Sequence, residues 1–370
     1  AKIIRERMPG ESVPAYLQNR FDTKTTRLYS YAWIVYGFLY IPIQLKTVAS
    51  IIQIVLPGMN MMAAMLIGVT VAVLYTSFSG MKGASAVGRV VCIGIYILLI
   101  IFTVTTLSGF GGLGGLFEQL PENYNSMGNM PTQRIIAWIL GGCISTAVMQ
   151  AVLQPLLAAK SPQAARTGSI LGYLIAAPIC FFTAICGMLS KASGADLGDG
   201  STAFAYAIKT FSSPVFAGII FAFATMIIAA TMATMMLATG TIITNIYKTE
   251  IDRNAGDQKV LKISKSVTFI FAYLTLIPAF LIPSQSLTNL FLTLQHVAAA
   301  PVSFSILAGL MWKRCTKQGA FWSMLTGMIV GISWMLLGLT DKMEAVYPVV
   351  VVTYSVGIIV SLMTSKKEIV

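Results

Sequence analysis

Apolar residues along the chain are grouped into long runs that short polar segments separate. Ten of these runs are near the roughly 20 residues that an α-helix needs to cross the hydrocarbon core of a bilayer. The runs lack the alternation of a barrel strand, and lipid offers no partner for free backbone groups, so each is predicted to be a helix. The predicted spans are 29–56, 60–79, 88–108, 134–157, 168–190, 214–245, 266–283, 286–311, 320–339 and 346–364.

The composition supports this interpretation of the apolar runs. Hydrophobic residues make up 56% of the chain, charged residues make up 10%, and the mean hydropathy is +0.79. A soluble domain carries about 25% charged residues. The predicted fold class is therefore an all-α polytopic membrane protein with about ten transmembrane helices, preceded by a polar loop at residues 1–27.

The basic residues are distributed unevenly between the two sides of the predicted membrane. Alternate loops can be assigned to the inside, starting with the first. The inside loops then hold 20 of the 25 basic residues and the outside loops hold 4, and the remaining basic residue is Lys46. This asymmetry follows the positive-inside rule. We therefore expect a multi-pass protein of the plasma membrane with both ends of this chain in the cytoplasm. The net charge of +12 is explained by the basic residues of the inside loops, which set the orientation in the membrane, so a nucleic-acid partner is not expected.

Residues for covalent or metal chemistry are scarce in the predicted spans. All 13 acidic residues fall in loops, and the single histidine, His296, cannot form a metal site unaided. The five cysteines have irregular spacing and no histidine beside them, so buried small-residue roles are expected rather than disulfides or metal binding. The sequence predicts no metal site, no cofactor and no enzymatic activity.

Lys46 lies well inside a predicted span, in the stretch YIPIQLKTVASIIQ, within an apolar run that contains no other charge. A helix over residues 31–56 would place it only about 4 Å from the helix centre, so its stem cannot reach either interface. A central lysine costs about 2.5–3.5 kcal/mol even on the lenient insertion scale. Three interpretations remain open: a lysine satisfied by nearby carbonyls and hydroxyls, a binding group for a solute carboxylate, or a permanent substitute for a bound cation. The cost favours the two functional interpretations.

Four motifs, in order along the chain, resemble those of the sodium:solute symporter family. VPAYLQNRFDTKTTRLYS resembles the segment P-x-Y-L-x-x-R-F, and LQPLLAAKSPQAARTG resembles Q-R-x-x-A-A-K-x-x-x-x-A-R. GIIFAFATMIIAATMATMMLATGTIITNIYK is similar to a helix of that family that ends in D-I-Y-K. LAGLMWKRCTKQGAFWSMLTG is similar to L-L-G-x-F-W-K-R-x-x-x-x-G-A-x-x-G.

This resemblance implies a LeuT-type inverted-repeat core in which two five-helix halves enclose a central site. Residues 28–312 would be a partial transport core with core helices three to ten, and residues 313–370 would add two peripheral helices and a cytoplasmic tail. In the family, the P-x-Y-L segment follows the second core helix, whereas here it begins at residue 14. We therefore expect about three further helices upstream, in a longer transporter, rather than a naturally shortened protein.

The sodium site that the family places on core helix eight is altered in this sequence. The family has an adjacent pair of hydroxyl residues there, and the matching stretch here is IIAATMAT. One alignment places Ala230 and Thr231 at the pair, and another places Ala233 and Thr234 there. Either way one hydroxyl is lost, and the sequence leaves open whether the threonines bind an ion or bond to their own helix.

A second departure lies on core helix five. The family commonly has T-D-x-x-Q there, whereas Gly88 and Val91 replace the acid and the amide here. The ion that the resemblance implies is sodium, but with both parts of the site altered we expect transport to depend weakly on sodium or not at all.

Candidate solute-binding residues are the polar residues on helices that line the central site in the family. Lys46 is expected to point into the central cavity within reach of core helices six, eight or ten. Gln150 lies on core helix six, and Gln295 and His296 lie on core helix ten. We predict a secondary active transporter for a small, carboxylate-bearing solute; the alternative is a membrane sensor or scaffold that retains the fold without transporting.

Overall fold

The computed structural model describes the chain except for residues 9–11, 126–127, 129, 198–199, 201, 283–286 and 366–370. The side chains of residues 77–87, 125, 257, 288 and 341 are also not described. The predicted cytoplasmic tail therefore lies mostly outside the described residues. Within them, the secondary structure is helical throughout and contains no strand.

Sixteen α-helices are described, and the prediction of an all-α membrane fold is confirmed. Shorter 3-10 or π turns lie at Glu122–Asn125, Tyr247–Ile251, Gln295–Ala299, Ala300–Val302 and Leu339–Asp341. The helices are α1 Lys2–Arg7, α2 Val13–Arg20, α3 Thr23–Val55, α4 Met61–Gly109, α5 Gly112–Glu118, α6 Thr132–Thr146, α7 Gln150–Leu157, α8 Pro162–Ala192, α9 Ala203–Phe211, α10 Pro214–Ile246, α11 Asp257–Leu274, α12 Leu276–Leu281, α13 Leu287–Leu294, α14 Ser303–Met311, α15 Lys317–Leu336 and α16 Val346–Thr364.

The predicted spans correspond closely to apolar helices in the described part of the chain. Eight helical segments are long and apolar enough to cross a membrane, and α6 with α7 forms a ninth if that bent pair is one span. The shorter apolar stretch Met61–Thr76 matches the remaining prediction. However, the backbone of α4 runs without a break through the predicted spans 60–79 and 88–108, so the loop predicted between them is not seen.

The prediction that residues 1–27 form a loop is wrong in its secondary structure. Two short helices, α1 and α2, occupy most of this segment. The Ser12 side chain accepts a hydrogen bond from the Ala15 amide at the start of α2, and Pro14 lies in the first turn. Asp22 caps α3 in the same way through the Thr25 amide, at 2.8 Å. These caps satisfy backbone donors at the helix starts, which the hydropathy pattern does not indicate.

Helix α3 lies at the centre of the fold and packs against α10 and α4. Gly37 allows the close approach of α3 and α10, because a Cβ atom there would lie 2.6 Å from Thr239 Oγ1. The main hydrophobic core includes buried residues of α2, α3, α7 and α10. Side chains on the inner face of α3 are therefore enclosed by protein rather than by lipid.

The side of the membrane on which each loop lies is a testable prediction. Tyr124 is 43% exposed in the segment predicted to be outside, and the exposed Asn254 lies in a turn predicted to be inside. In a variant with the five natural cysteines replaced by serine, Tyr124→Cys is expected to react with an impermeant maleimide on intact cells. Asn254→Cys is expected to react only after permeabilisation. The reverse labelling pattern would reject the orientation.

Candidate functional site

Two interruptions in the helices meet inside the bundle. The chain bends by 46° between α6 and α7, at residues 147–149, which we call the helix break. The π turn Gln295–Ala299 interrupts the segment that joins α13 to α14. Ser145, at the end of α6, donates a buried hydrogen bond of 3.3 Å to the Gln295 carbonyl. Backbone groups released at such interruptions are available to bind ions or solutes, which makes this junction the first candidate site.

His296 is fully buried at this junction and packs directly against α6. Its Nε2 atom would lie 2.3 Å from a Cβ placed on Gly141, so only glycine accommodates the ring there. Neither ring nitrogen has a hydrogen-bond partner among the described residues. Its Nδ1 atom lies 3.7 Å from Glu344 Oε2, within the range of an ion pair if the imidazole is protonated.

Glu344 also connects this histidine to a polar cavity that sequence reasoning missed. Arg134 Nε lies 3.2 Å from Glu344 Oε1, and the Arg134 guanidinium donates a hydrogen bond of 3.1 Å to Asn289 Oδ1. The cavity beside them has a volume of about 200 Å³ and is also lined by Lys342. No signal in the linear sequence connects these residues, because they come from three different segments.

Gln150 faces α2 rather than the π turn. It is the first residue of α7, and its side chain is 1% exposed. Its Oε1 atom accepts a hydrogen bond of 3.0 Å from the Val13 amide, and its Nε2 atom has no partner among the described residues. On the α6 side of the helix break, Gln295 and His296 pack against α6. On the other side, Gln150 follows the break directly.

Lys46 is buried in the second half of α3, with 6% of its surface exposed. Its ammonium donates a hydrogen bond to the carbonyl of Ile282, on the connection after α12. The contact lies on predicted core helix nine instead of helices six, eight or ten. If the role of Lys46 is only structural, its ammonium needs an acceptor such as a backbone carbonyl. The contact with Ile282 supplies one, so it weakens the preference for a functional role. Its role in solute binding stays a prediction.

The candidate ion ligands lie half-buried on α10. Thr231 Oγ1 donates to the Ile227 carbonyl at 3.0 Å, and Thr234 Oγ1 donates to the Ala230 carbonyl at 2.9 Å. These bonds agree with the interpretation that the threonines bond back to their own helix. A hydroxyl that donates in this way keeps its oxygen lone pairs, so the geometry leaves the ion role of Ala230, Thr231 and Thr234 untested.

A column of buried aromatic residues on α3 is a second feature that sequence reasoning missed. Tyr29, Trp33, Tyr36 and Tyr40 stack along one face, with successive ring centroids 6.0, 4.9 and 5.6 Å apart. Tyr29 Oη, Trp33 Nε1 and Tyr36 Oη are buried and have no hydrogen-bond partner among the described residues. Buried polar atoms are nearly always satisfied by protein, water or ligand, so this face can accept polar partners. The spacing of these residues in the sequence could have revealed it.

Comparison with known proteins identifies the family of this chain. The model of the sodium:solute symporter family matches residues 7–327. The chain belongs to the sodium:solute symporter family. The four sequence motifs and the resemblance drawn from them are thereby confirmed, and transport, symport and a membrane location follow for the family.

Two curated relatives show how much of a transporter this chain covers. The high-affinity proline transporter PutP of Bacillus subtilis is 24% identical over 351 residues, which cover 91% of this chain and 73% of that protein. The sodium/glucose cotransporter 4 of Mus musculus is 23% identical over 374 residues, which cover 88% of this chain but 54% of that protein. The chain therefore spans about half to three quarters of these relatives' length.

A solved structure supports the fold assignment. The structure of a Na⁺-coupled sialic acid symporter, in a substrate-bound outward-open state, has a TM-score of 0.75 to this chain. The match covers 96% of this chain and 77% of that chain at 16% sequence identity. At this identity the likeness establishes the LeuT-type fold of the symporter family and says nothing of this chain's solute or ions.

Proposed function

We propose that this protein is a secondary active transporter that moves a small, carboxylate-bearing solute across the plasma membrane by alternating access. Membership of the symporter family supports the transport reaction. The observation that carries the carboxylate is Lys46, a buried ammonium in the second half of α3. An ammonium has three N–H donors, so the bond to the Ile282 carbonyl does not by itself exclude a bond to a solute carboxylate.

The surroundings of the helix break favour a small solute over a sugar with many hydroxyl groups. Met149 and Ala151 flank Gln150 and offer no polar side-chain atoms. Proline and sialic acid, which appear in the names of a relative and of the matched structure, both carry a carboxylate. Glucose, in the name of another relative, does not. A charged solute is also consistent with the cost of keeping a lysine inside the membrane.

The solute class is tested by counterflow in proteoliposomes with matched pairs of competitors. Labelled L-proline is the first probe, and L-prolinamide and D-glucose are the competitors that lack a carboxylate. We expect L-proline and other small carboxylates to compete at concentrations where the amide and the sugar have no effect. Competition by glucose alone would overturn the proposed solute class. Saturable solute binding without counterflow would instead support a membrane sensor that retains the fold.

We also propose that transport depends weakly on sodium. Gly88 and Val91 replace the acid and the amide of the family pattern, and one hydroxyl of the pair on α10 is lost. Fewer oxygen ligands weaken the binding of a hard cation. Replacing sodium with choline in the uptake assay is therefore expected to change the initial rate less than about threefold, since an ion that is bound weakly contributes little coupling free energy. A steep loss of uptake would show that the remaining oxygens still form a working sodium site.

A further inference from the structure

A basic cavity lies where α1, α2 and the end of α14 meet. Its volume is about 490 Å³, and it opens to the surface of the protein. Among the lining residues that the structure describes, three are cations and none is a carboxylate. The lining residues are Arg7, Tyr16, Arg20, Gly309, Leu310, Met311, Trp312 and Lys313.

Two backbone carbonyls hold the Arg20 guanidinium in place and leave some of its N–H donors available. Its Nε atom donates to the Gly309 carbonyl at 3.2 Å, and its Nη2 atom donates to the Cys315 carbonyl at 3.0 Å. The guanidinium carries five N–H donors, and these two bonds do not neutralise its charge. Arg7 and Lys313 are exposed at the same cavity, so their charges are free to approach a ligand from opposite elements.

Tyr16 supplies a neutral donor in the wall of the cavity. The residue is 6% exposed, and its hydroxyl has no hydrogen-bond partner among the described residues. Burial raises the pKa of Tyr16 to about 12, against a smaller opposing effect of the nearby Arg20 charge. The hydroxyl therefore remains protonated and able to donate at physiological pH. Such a donor beside three cations suits an oxyanion better than a cation.

We propose that this cavity binds the phosphate group of an anionic membrane lipid. The cations Arg7, Arg20 and Lys313 would balance its charge, and the Tyr16 hydroxyl would donate to one of its oxygens. Phosphate oxygens accept several charge-assisted bonds at once, which matches a site with donors on three sides. The site is separate from the helix break and does not depend on the proposed transport reaction.

The position of the cavity favours a lipid as the source of the phosphate. The candidate membrane span Asn289–Met311 ends at the cavity, and Met311 is 68% exposed. Trp312 follows directly, and tryptophan prefers the level of the headgroups. Basic pockets at the ends of membrane helices on the cytoplasmic side are suited to lipid headgroups. The connection after α14 is predicted to be on that side.

The proposal is tested by native mass spectrometry of the detergent-purified protein, with phosphatidylglycerol and phosphatidylcholine added at equal concentration. We expect one tightly retained phosphatidylglycerol and no comparable retention of phosphatidylcholine. Arg7→Gln with Lys313→Gln is expected to weaken this binding by about 10- to 30-fold, since each cation near the membrane surface contributes about 1 kcal/mol. Arg20 is left unchanged because it also holds the turn after α14.

The matched control is the double variant Lys2→Gln with Arg314→Gln, which removes the same charge from residues that do not line the cavity. It is expected to bind phosphatidylglycerol like the unchanged protein. Tyr16→Phe removes only the hydroxyl and is expected to cost about 10-fold in affinity with the thermal midpoint retained. Equal retention of both lipids, or equal losses in the two double variants, would overturn the proposal. Binding of inorganic phosphate without retention of phosphatidylglycerol would overturn the lipid as the source.

Discussion

Lys46→Met is expected to lower the affinity for a carboxylate-bearing solute by roughly 10- to 150-fold, which is the loss of one charge-assisted hydrogen bond. The fold should be retained, because methionine has a similar volume and the variant removes a buried charge. Lys46→Arg should restore the charge but not the full affinity, since a planar guanidinium does not replace a compact ammonium. Equilibrium binding and exchange rates, measured on both variants in proteoliposomes, give the comparison.

Lys209→Met is the matched control for this experiment. Lys209 also donates to a backbone carbonyl, that of Ile54 at 3.4 Å, but it does so at an exposed position. Its replacement is expected to leave affinity and exchange unchanged. If Lys46 instead substitutes for a bound cation, Lys46→Met should slow exchange while affinity is retained. Normal binding and exchange in Lys46→Met would leave a structural lysine, held by the Ile282 carbonyl, as the remaining interpretation.

Gly141→Ala is expected to destabilise the protein by about 1–3 kcal/mol, as overpacking of a filled interior does. The new methyl group would lie 2.3 Å from His296 Nε2, and the imidazole is fully buried. Gly142→Ala is the matched control on the same helix, because a Cβ there meets nothing within 4 Å. Thermal unfolding in detergent, followed by loss of the monodisperse species, measures both variants.

A double variant separates the contact with His296 from a general intolerance of α6. In a His296→Ala background the imidazole is gone, so Gly141→Ala is expected to cost less than about 0.5 kcal/mol beyond the cost of His296→Ala itself. Additive losses in the double variant would show that the close approach of Gly141 and His296 does not govern stability. A loss in Gly142→Ala as large as that in Gly141→Ala would point to the same conclusion.

The helical membrane architecture could be predicted from the sequence because its cause is local. An apolar run of about 20 residues has only one common way to satisfy its backbone in lipid, and such runs are visible in the chain. The motifs around residues 14 and 307 were also local, and they indicated the family that the comparisons establish. The orientation, the plasma membrane and the expected upstream helices stay predictions.

Much of the candidate site could not be predicted, because it depends on contacts between residues far apart in the chain. Gln150, Gln295 and His296 were singled out as polar residues in apolar helices, but their partners Val13, Ser145 and Glu344 were not. Glu344 was counted as a loop residue, although its carboxylate lies within ion-pair distance of a buried histidine. A hydropathy profile gives the polarity of each position along the chain and contains no information on which residues pack against it.

By itself, the sequence determined the approximate positions of the apolar runs and the family to which the chain belongs, since both follow from short stretches of chain, but it divided α4 into two predicted spans. Only the tertiary structure decided that α6 and α7 bend at residues 147–149 and that Lys46 meets the Ile282 carbonyl. Tertiary packing also places the helices α1 and α2 against the end of α14. A bend, a buried partner and a docked polar segment each depend on the free energy of packing between distant segments, and that term is absent from any local pattern.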